Sequence, residues 1–192
     1  MKEIVKLFSE WGQLKMVEHV GFKLVGVKHP ESVAEHSLRA AQIAFVLACL
    51  EGYKNPHEVA SMLVFHDIGE CRIGDLHKVA TRYGRLDEKG AVKEQLIRAG
   101  ECGKEIFRLW NEAEERTTIA GIIAKDSDYL EQALCAKEYF ELGYLGAEDW
   151  IINVGKALKT KSAKKLWKEI RKANVYGSGK GSWWDGLKKL GK

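Results

Sequence analysis

The chain has 192 residues, 45% of them hydrophobic and 30% charged, which is the length of one domain and a composition too apolar for wholesale disorder. A multidomain machine is excluded, and no uninterrupted apolar run approaches the ~18 residues that span a bilayer. The net charge of +4 hides an asymmetry, because residues 156–192 carry twelve lysines and arginines against Glu169 and Asp185; this reads as a solvated helix face rather than a nucleic-acid surface.

With only Pro30 and Pro56 as obligatory breaks and few alternating β-branched runs, the expected fold is all-α. Ile4, Leu7, Phe8, Trp11 and Leu14 follow the three-and-four spacing of an amphipathic helix over about 3–15, and a loop through Gly21 and Gly26 follows. Ser32-Val33-Ala34-Glu35 has the form of a capping box, starting a helix that runs to Leu50 with His36 in its first turn. Asn55-Pro56 starts a third helix, which reaches about Ile68 and carries His66 and Asp67 at its end. Gly69 to Gly74 reads as a loop holding Glu70, with Asp75 directly after.

Helical periodicity resumes over about 88–99 and 103–115, then in a long segment from about Thr118 to Leu142, and again over 147–158 and 163–173. Residues 1–176 form the expected domain. The remainder, 177–192, reads as a Gly/Ser linker and a tail whose Trp183-Trp184 pair folds back onto the domain or onto a partner subunit. The N-terminus lacks the hydrophobic region of a secretory signal, and Cys49, Cys71, Cys102 and Cys135 form no Cys-x-x-Cys pair. A cytoplasmic protein with reduced thiols is expected.

His66 and Asp67 stand about 100° apart around a helix axis, so both can lean towards one point where imidazole and carboxylate share a metal ion. Two donors hold a divalent ion weakly. His36 offers a third, and Asp126 or Asp128 in the long helix a fourth, which would pin the ion at the junction of three helices of a bundle. His19, His29, His57 and His77 have no such companions and read as ordinary polar residues.

A His, a His-Asp pair some thirty residues on and an Asp some sixty residues further form an ordered signature. Together with Pro30-Glu31-Ser32-Val33-Ala34-Glu35-His36-Ser37, His66-Asp67-Ile68-Gly69-Glu70 and Gly74-Asp75-Leu76, it resembles the HD-domain metal phosphohydrolases, and within them the 5′-deoxynucleotidase branch, over most of residues 5–145. The resemblance implies a metal-dependent phosphomonoesterase that hydrolyses (deoxy)nucleoside 5′-monophosphates to nucleoside and phosphate, working as a homodimer. It places one divalent ion on His36, His66, Asp67 and Asp128, and gives Asp75 a part in orienting water or phosphate. The ligand types accept Mn²⁺, Co²⁺, Fe²⁺, Ni²⁺ or Zn²⁺.

Periodicity disagrees about the fourth ligand. At 100° per residue Asp126 shares a face with Ile119, Ile122, Ile123, Leu130 and Ala133 and turns inward, whereas Asp128 fits the family's offsets to Glu131, Leu134, Ala136, Glu138 and Tyr139. Asp128 lies on a face of small residues, Gly121, Ala124 and Cys135, suited to close packing, and is the choice made. Glu70, four residues after His66, suits proton transfer beside the metal. Bacterial members carry an Arg-Trp pair where this chain has Gly21-Phe22, so Phe22 is expected to keep the aromatic face that stacks on substrate without the cation. Two alternatives remain: an HD-domain phosphodiesterase or nucleotide hydrolase acting on another phosphoester, and a helical binding module that uses the basic C-terminal helix.

Overall fold

The computed structural model describes residues 1–177 together with Ser182 and Trp183. Nine α-helices succeed one another among them: α1 Lys2–Trp11, α2 Val33–Leu50, α3 Pro56–Phe65, α4 Glu70–Ile73, α5 Glu88–Leu96, α6 Glu101–Glu115, α7 Ile119–Glu141, α8 Glu148–Ala157 and α9 Lys161–Lys172. No strand occurs among the described residues; one isolated antiparallel bridge joins Glu18 to Ser32. The fold is all-α, as expected.

The helix starts follow the local chemistry. Ser32 accepts from the Glu35 N–H while the Glu35 carboxylate accepts from the Ser32 N–H at 2.7 Å, a complete capping box on α2. Asn55 caps α3 ahead of Pro56, Asp87 caps α5, Thr118 caps α7 and Thr160 caps α9, each side-chain oxygen accepting an N–H three residues on. The expected first helix ends at Trp11 and continues as a 3-10 turn over Gly12–Lys15, and the loop through Gly21 is a 3-10 helix, Val20–Val25, closed by left-handed Gly26.

α7 is the axis of the molecule. It packs against α2, α3, α6, α8 and α9, so apolar residues cover it on several sides, and Ala120, Ile123, Ala124, Leu130, Ala133, Cys135 and Ala136 are all buried. Gly121 lets α6 come close, since a Cβ there would lie 2.4 Å from the Glu112 carbonyl oxygen. α2 is long and apolar enough to cross a bilayer, but it is the core helix of this bundle: Val33, Ala40, Ala44, Leu47 and Ala48 are buried, and it carries Glu35, His36 and Arg39.

Of the C-terminal basic segment, α9 buries Ala163 and Ile170 and turns its lysines outward, the pattern of a solvated face. Trp183 is 77% exposed. Trp184 and most of the Gly/Ser stretch, residues 178–181, lie outside the described residues.

Asp126 is buried at 2% exposure, and its carboxylate accepts the backbone N–H groups of Lys159 at 3.0 Å and Thr160 at 2.7 Å. It therefore ties the start of α9 to α7 and satisfies donors that have no helical partner. Asp126→Ala leaves those N–H groups without an acceptor, and urea unfolding is expected to show a loss of about 2 kcal/mol.

Candidate metal centre

Two helices and one turn bring the donors together. His36 sits in the first turn of α2, Asp128 in the middle of α7, and His66-Asp67 in the turn that ends α3. α3 stops at Phe65, two residues before Asp67, so the His-Asp pair is carried by a turn and not by a helix continuing to Ile68. Gln95, fully buried on α5, pins that turn by donating to the Ile68 carbonyl at 2.9 Å. The next residue, Gly69, is closely packed: a Cβ there would lie 2.7 Å from Cγ of Glu88, so that side chain would have to move.

The donor atoms converge. His36 Nε2 lies 3.3 Å from His66 Nε2, 3.3 Å from Asp128 Oδ1 and 3.7 Å from Asp67 Oδ2. His66 Nε2 lies 2.9 Å from Asp67 Oδ2. These separations match ligands grouped around an ion about 2.0–2.2 Å from each.

The far side of each ring fixes which nitrogen faces the centre. His66 Nδ1 donates to the Leu63 carbonyl at 2.8 Å, and His36 Nδ1 donates to the fully buried Glu131 carboxylate. Both acceptors can only accept, so each Nδ1 carries a hydrogen and each Nε2 is left as the ligating atom. Glu131 is held in turn by Arg39, whose Nε donates to Oε1 at 2.8 Å and whose other arm donates to Glu138 at 2.5 Å. Asp128 receives Lys125 Nζ at 2.5 Å and Gln132 Nε2 at 2.8 Å.

Electrostatics show how strongly the donors act on one another. Burial alone would pull the His36 imidazole down, yet its hydrogen bonds to Asp128 and Glu131 hold it well above its ordinary value. Burial likewise opposes the charged form of His66, and the Asp67 carboxylate overrides it to raise that ring. Burial would raise Asp128, but Lys125 and the two imidazoles hold it well below the carboxylate range. Two imidazoles with two carboxylates are a donor set that first-row divalent ions accept. The residues fit a metal ion.

Beyond the four donors, Glu70 opens the short helix α4 and Asp75 follows it. Both line a cavity of about 370 Å³ with Thr81, Arg85 and Glu88. Glu70 Oε2 and Asp75 Oδ2 are buried without a hydrogen-bond partner. Burial, with the Asp67, Asp75 and Glu88 carboxylates adding to it, pushes Glu70 up to about 10, and burial beside Asp67 pushes Glu88 up to about 7.

Of the expected site residues, the structure groups His36, His66, Asp67 and Asp128, and sets Glu70 and Asp75 together on the adjoining cavity. Asp126, the choice of periodicity, is engaged with the α9 backbone instead. Phe22 departs from expectation: at 1% exposure its ring is packed against Tyr139 at 5.0 Å, Trp150 at 5.5 Å and the edge of His19 at 5.8 Å, and it offers no free face. His19, set aside in the sequence, places its ring 4.6 Å from that of His36 and its Nδ1 3.4 Å from Glu31. Arg39 and Gln132 were also missed. Their signal is spacing, since Arg39 stands three residues after His36 and Gln132 four after Asp128, on the same helix faces.

The HD-domain family profile matches residues 11–174. The chain belongs to the HD-domain family. It is similar to the 5′-deoxynucleotidase HDDC2 of Dictyostelium discoideum, 34% identical over 72% of this chain and 78% of that protein. Among solved structures it is similar to a conserved hypothetical protein from Pyrococcus furiosus, with a TM-score of 0.71 and 26% identity over 88% of this chain and 99% of that one. It is also similar to a protein described as a metal-dependent phosphohydrolase from Magnetospirillum magnetotacticum, with a TM-score of 0.65 and 25% identity over 89% and 95% of the two chains.

Losing one charged donor from a four-donor site should empty it. After chelation and reloading, Asp67→Ala and Asp128→Asn are expected to retain well under a tenth of the wild-type metal by elemental analysis, whereas Asp126→Asn retains all of it. Full metal in Asp128→Asn with loss in Asp126→Asn would reverse the assignment.

Proposed function

We propose that this HD-domain protein is a metal-dependent phosphomonoesterase that hydrolyses nucleoside 5′-monophosphates, deoxy forms foremost, to nucleoside and phosphate. The observation that carries the reading is the grouping of His36 Nε2, His66 Nε2 and Asp67 Oδ2, with Asp128 Oδ1 3.3 Å from His36 Nε2. The similarity to a curated 5′-deoxynucleotidase supports the substrate class.

His36, His66, Asp67 and Asp128 would hold one divalent ion, which when bound supplies Lewis acidity to a phosphoryl oxygen and acidifies bound water. Glu70, pushed up to about 10, holds a proton at neutral pH and can pass it to an oxygen of the phosphoester. Asp75 turns its unpartnered Oδ2 to the same cavity, where it can accept a hydrogen bond from water and set its line of approach to phosphorus. Arg85 and Thr81 offer donors to phosphoryl oxygens on the opposite side of the charge balance. Glu131, through His36, keeps the ligating nitrogen aimed at the centre.

The metal is one of Mn²⁺, Co²⁺, Fe²⁺, Ni²⁺ or Zn²⁺, as availability decides among them. The working form is a homodimer: α2 carries Leu38, Phe45, Val46 and Leu50 exposed to solvent, an apolar face suited to a second copy. Free cysteines at all four positions accord with a cytoplasmic setting, and nucleic acid is not a partner in this reading.

A phosphate-release screen over nucleoside mono-, di- and triphosphates and cyclic nucleotides, with each metal added separately, tests the reading. Release from 5′-monophosphates is expected, and Glu70→Gln should lower kcat by about 10²-fold or more while keeping its metal. Rapid turnover of cyclic nucleotides or triphosphates with monophosphates untouched would overturn it in favour of another phosphoester.

A further inference from the structure

A second, smaller cavity of about 130 Å³ lies between α7 and α8, lined by Tyr129, Gln132, Trp150 and Asn153 with Lys78 at its rim. One of its wall residues reaches the metal centre. Gln132, part of its wall, donates to Asp128 Oδ1 at 2.8 Å, the same oxygen that faces His36 Nε2. The segment after Asp75 reaches both cavities: Leu76 and Thr81 line the larger one and Lys78 the smaller.

The two cavities differ in chemistry. The larger holds three carboxylates, Glu70, Asp75 and Glu88, and no aromatic ring, which suits proton transfer and water. The smaller holds two aromatic rings, two neutral amides and one cation. An amide presents a donor and an acceptor together, the pattern that pairs with the edge of a nucleobase, and an indole or phenol face stacks on a base irrespective of its identity.

Trp150 is also the aromatic ring best placed to act in this way. It is half-buried, with Phe22 packed 5.5 Å away and with the space beside Gly21 against its indole, where an added Cβ would still stand 3.8 Å from Trp150 Nε1. The buried Phe22 thus supports the indole from behind, and the substrate-facing aromatic surface belongs to α8.

We propose that the α7–α8 cleft is the nucleoside subsite: Trp150 stacks on the base, Gln132 and Asn153 read its edge, and Lys78 lies over the ribose-phosphate as it enters the metal centre. This rests on the phosphomonoesterase reading above and assigns where its specificity resides. Gln132 then links recognition to catalysis, since the amide that meets the base also holds a metal-bearing carboxylate.

The test compares metal-loaded wild type with Trp150→Leu and Asn153→Ala, the second at an exposed position that does not contribute to the core. The readout is the ratio of kcat/KM for a deoxynucleoside 5′-monophosphate to that for 2-deoxyribose 5-phosphate, which lacks the base. Each substitution is expected to lower this ratio about tenfold, mainly through KM of the nucleotide. In parallel, deoxynucleosides without phosphate are titrated into ¹⁵N-labelled wild type, where the Trp150 indole and Asn153 side-chain signals are expected to shift.

An unchanged ratio with unmoved signals, while the wild type hydrolyses monophosphates, overturns the cleft and leaves the phosphomonoesterase reading intact. Shifted signals in a protein that releases no phosphate from monophosphates keep the cleft and overturn that reading. Equal losses on both substrates would make Trp150 and Asn153 structural supports and also overturn the cleft.

Discussion

Everything in this molecule that bears on function depends on placing two imidazole Nε2 atoms and the Asp67 Oδ2 within 2.9–3.7 Å of one another, with Asp128 Oδ1 3.3 Å from His36 Nε2, in the protein interior. Such a grouping is costly, since each charged or polar group has been taken out of water. It is stable only if positive charge balances the carboxylates and if the rings cannot rotate away. The first demand suits the site to a cation. The second explains the ring of outer hydrogen bonds, from Leu63 on His66, from Glu131 and Arg39 behind His36, and from Lys125 and Gln132 on Asp128.

Because those outer groups come from α2, α3 and α7, the centre also dictates how the three helices cross. α7 supplies one donor, its two hydrogen-bond partners and the Glu131 support within two turns. The same helix holds α9 through Asp126. Packing and chemistry thus share one element, which is why buried acids with opposite duties sit two residues apart on it.

The sequence was most legible where local rules act alone. Serine and asparagine caps at Ser32 and Asn55 marked helix starts that the structure reproduces. Hydrophobic periodicity was least informative on α7, because a helix packed on most of its circumference has no polar face to contrast with its apolar one. Asp126 and Asp128 are both buried there, at 2% and 3% exposure, and burial could not separate them; their partners differ, the α9 backbone for Asp126 and His36 Nε2 for Asp128. The end of α3 was placed too late because a turn of single residues has no periodic signature, and the deep burial of Phe22 was invisible because its partners Tyr139 and Trp150 are more than a hundred residues away in the chain.

The histidine nitrogens give the most direct measurement of the central claim. In ¹⁵N spectra recorded as one equivalent of Zn²⁺ is added, the account predicts that Nε2 of His36 and His66 shift to metal-bound values while both Nδ1 atoms remain protonated, with His19, His29, His57 and His77 unaffected. Zinc taken up through Nδ1, or through any of those four other histidines in place of His36 or His66, would contradict it.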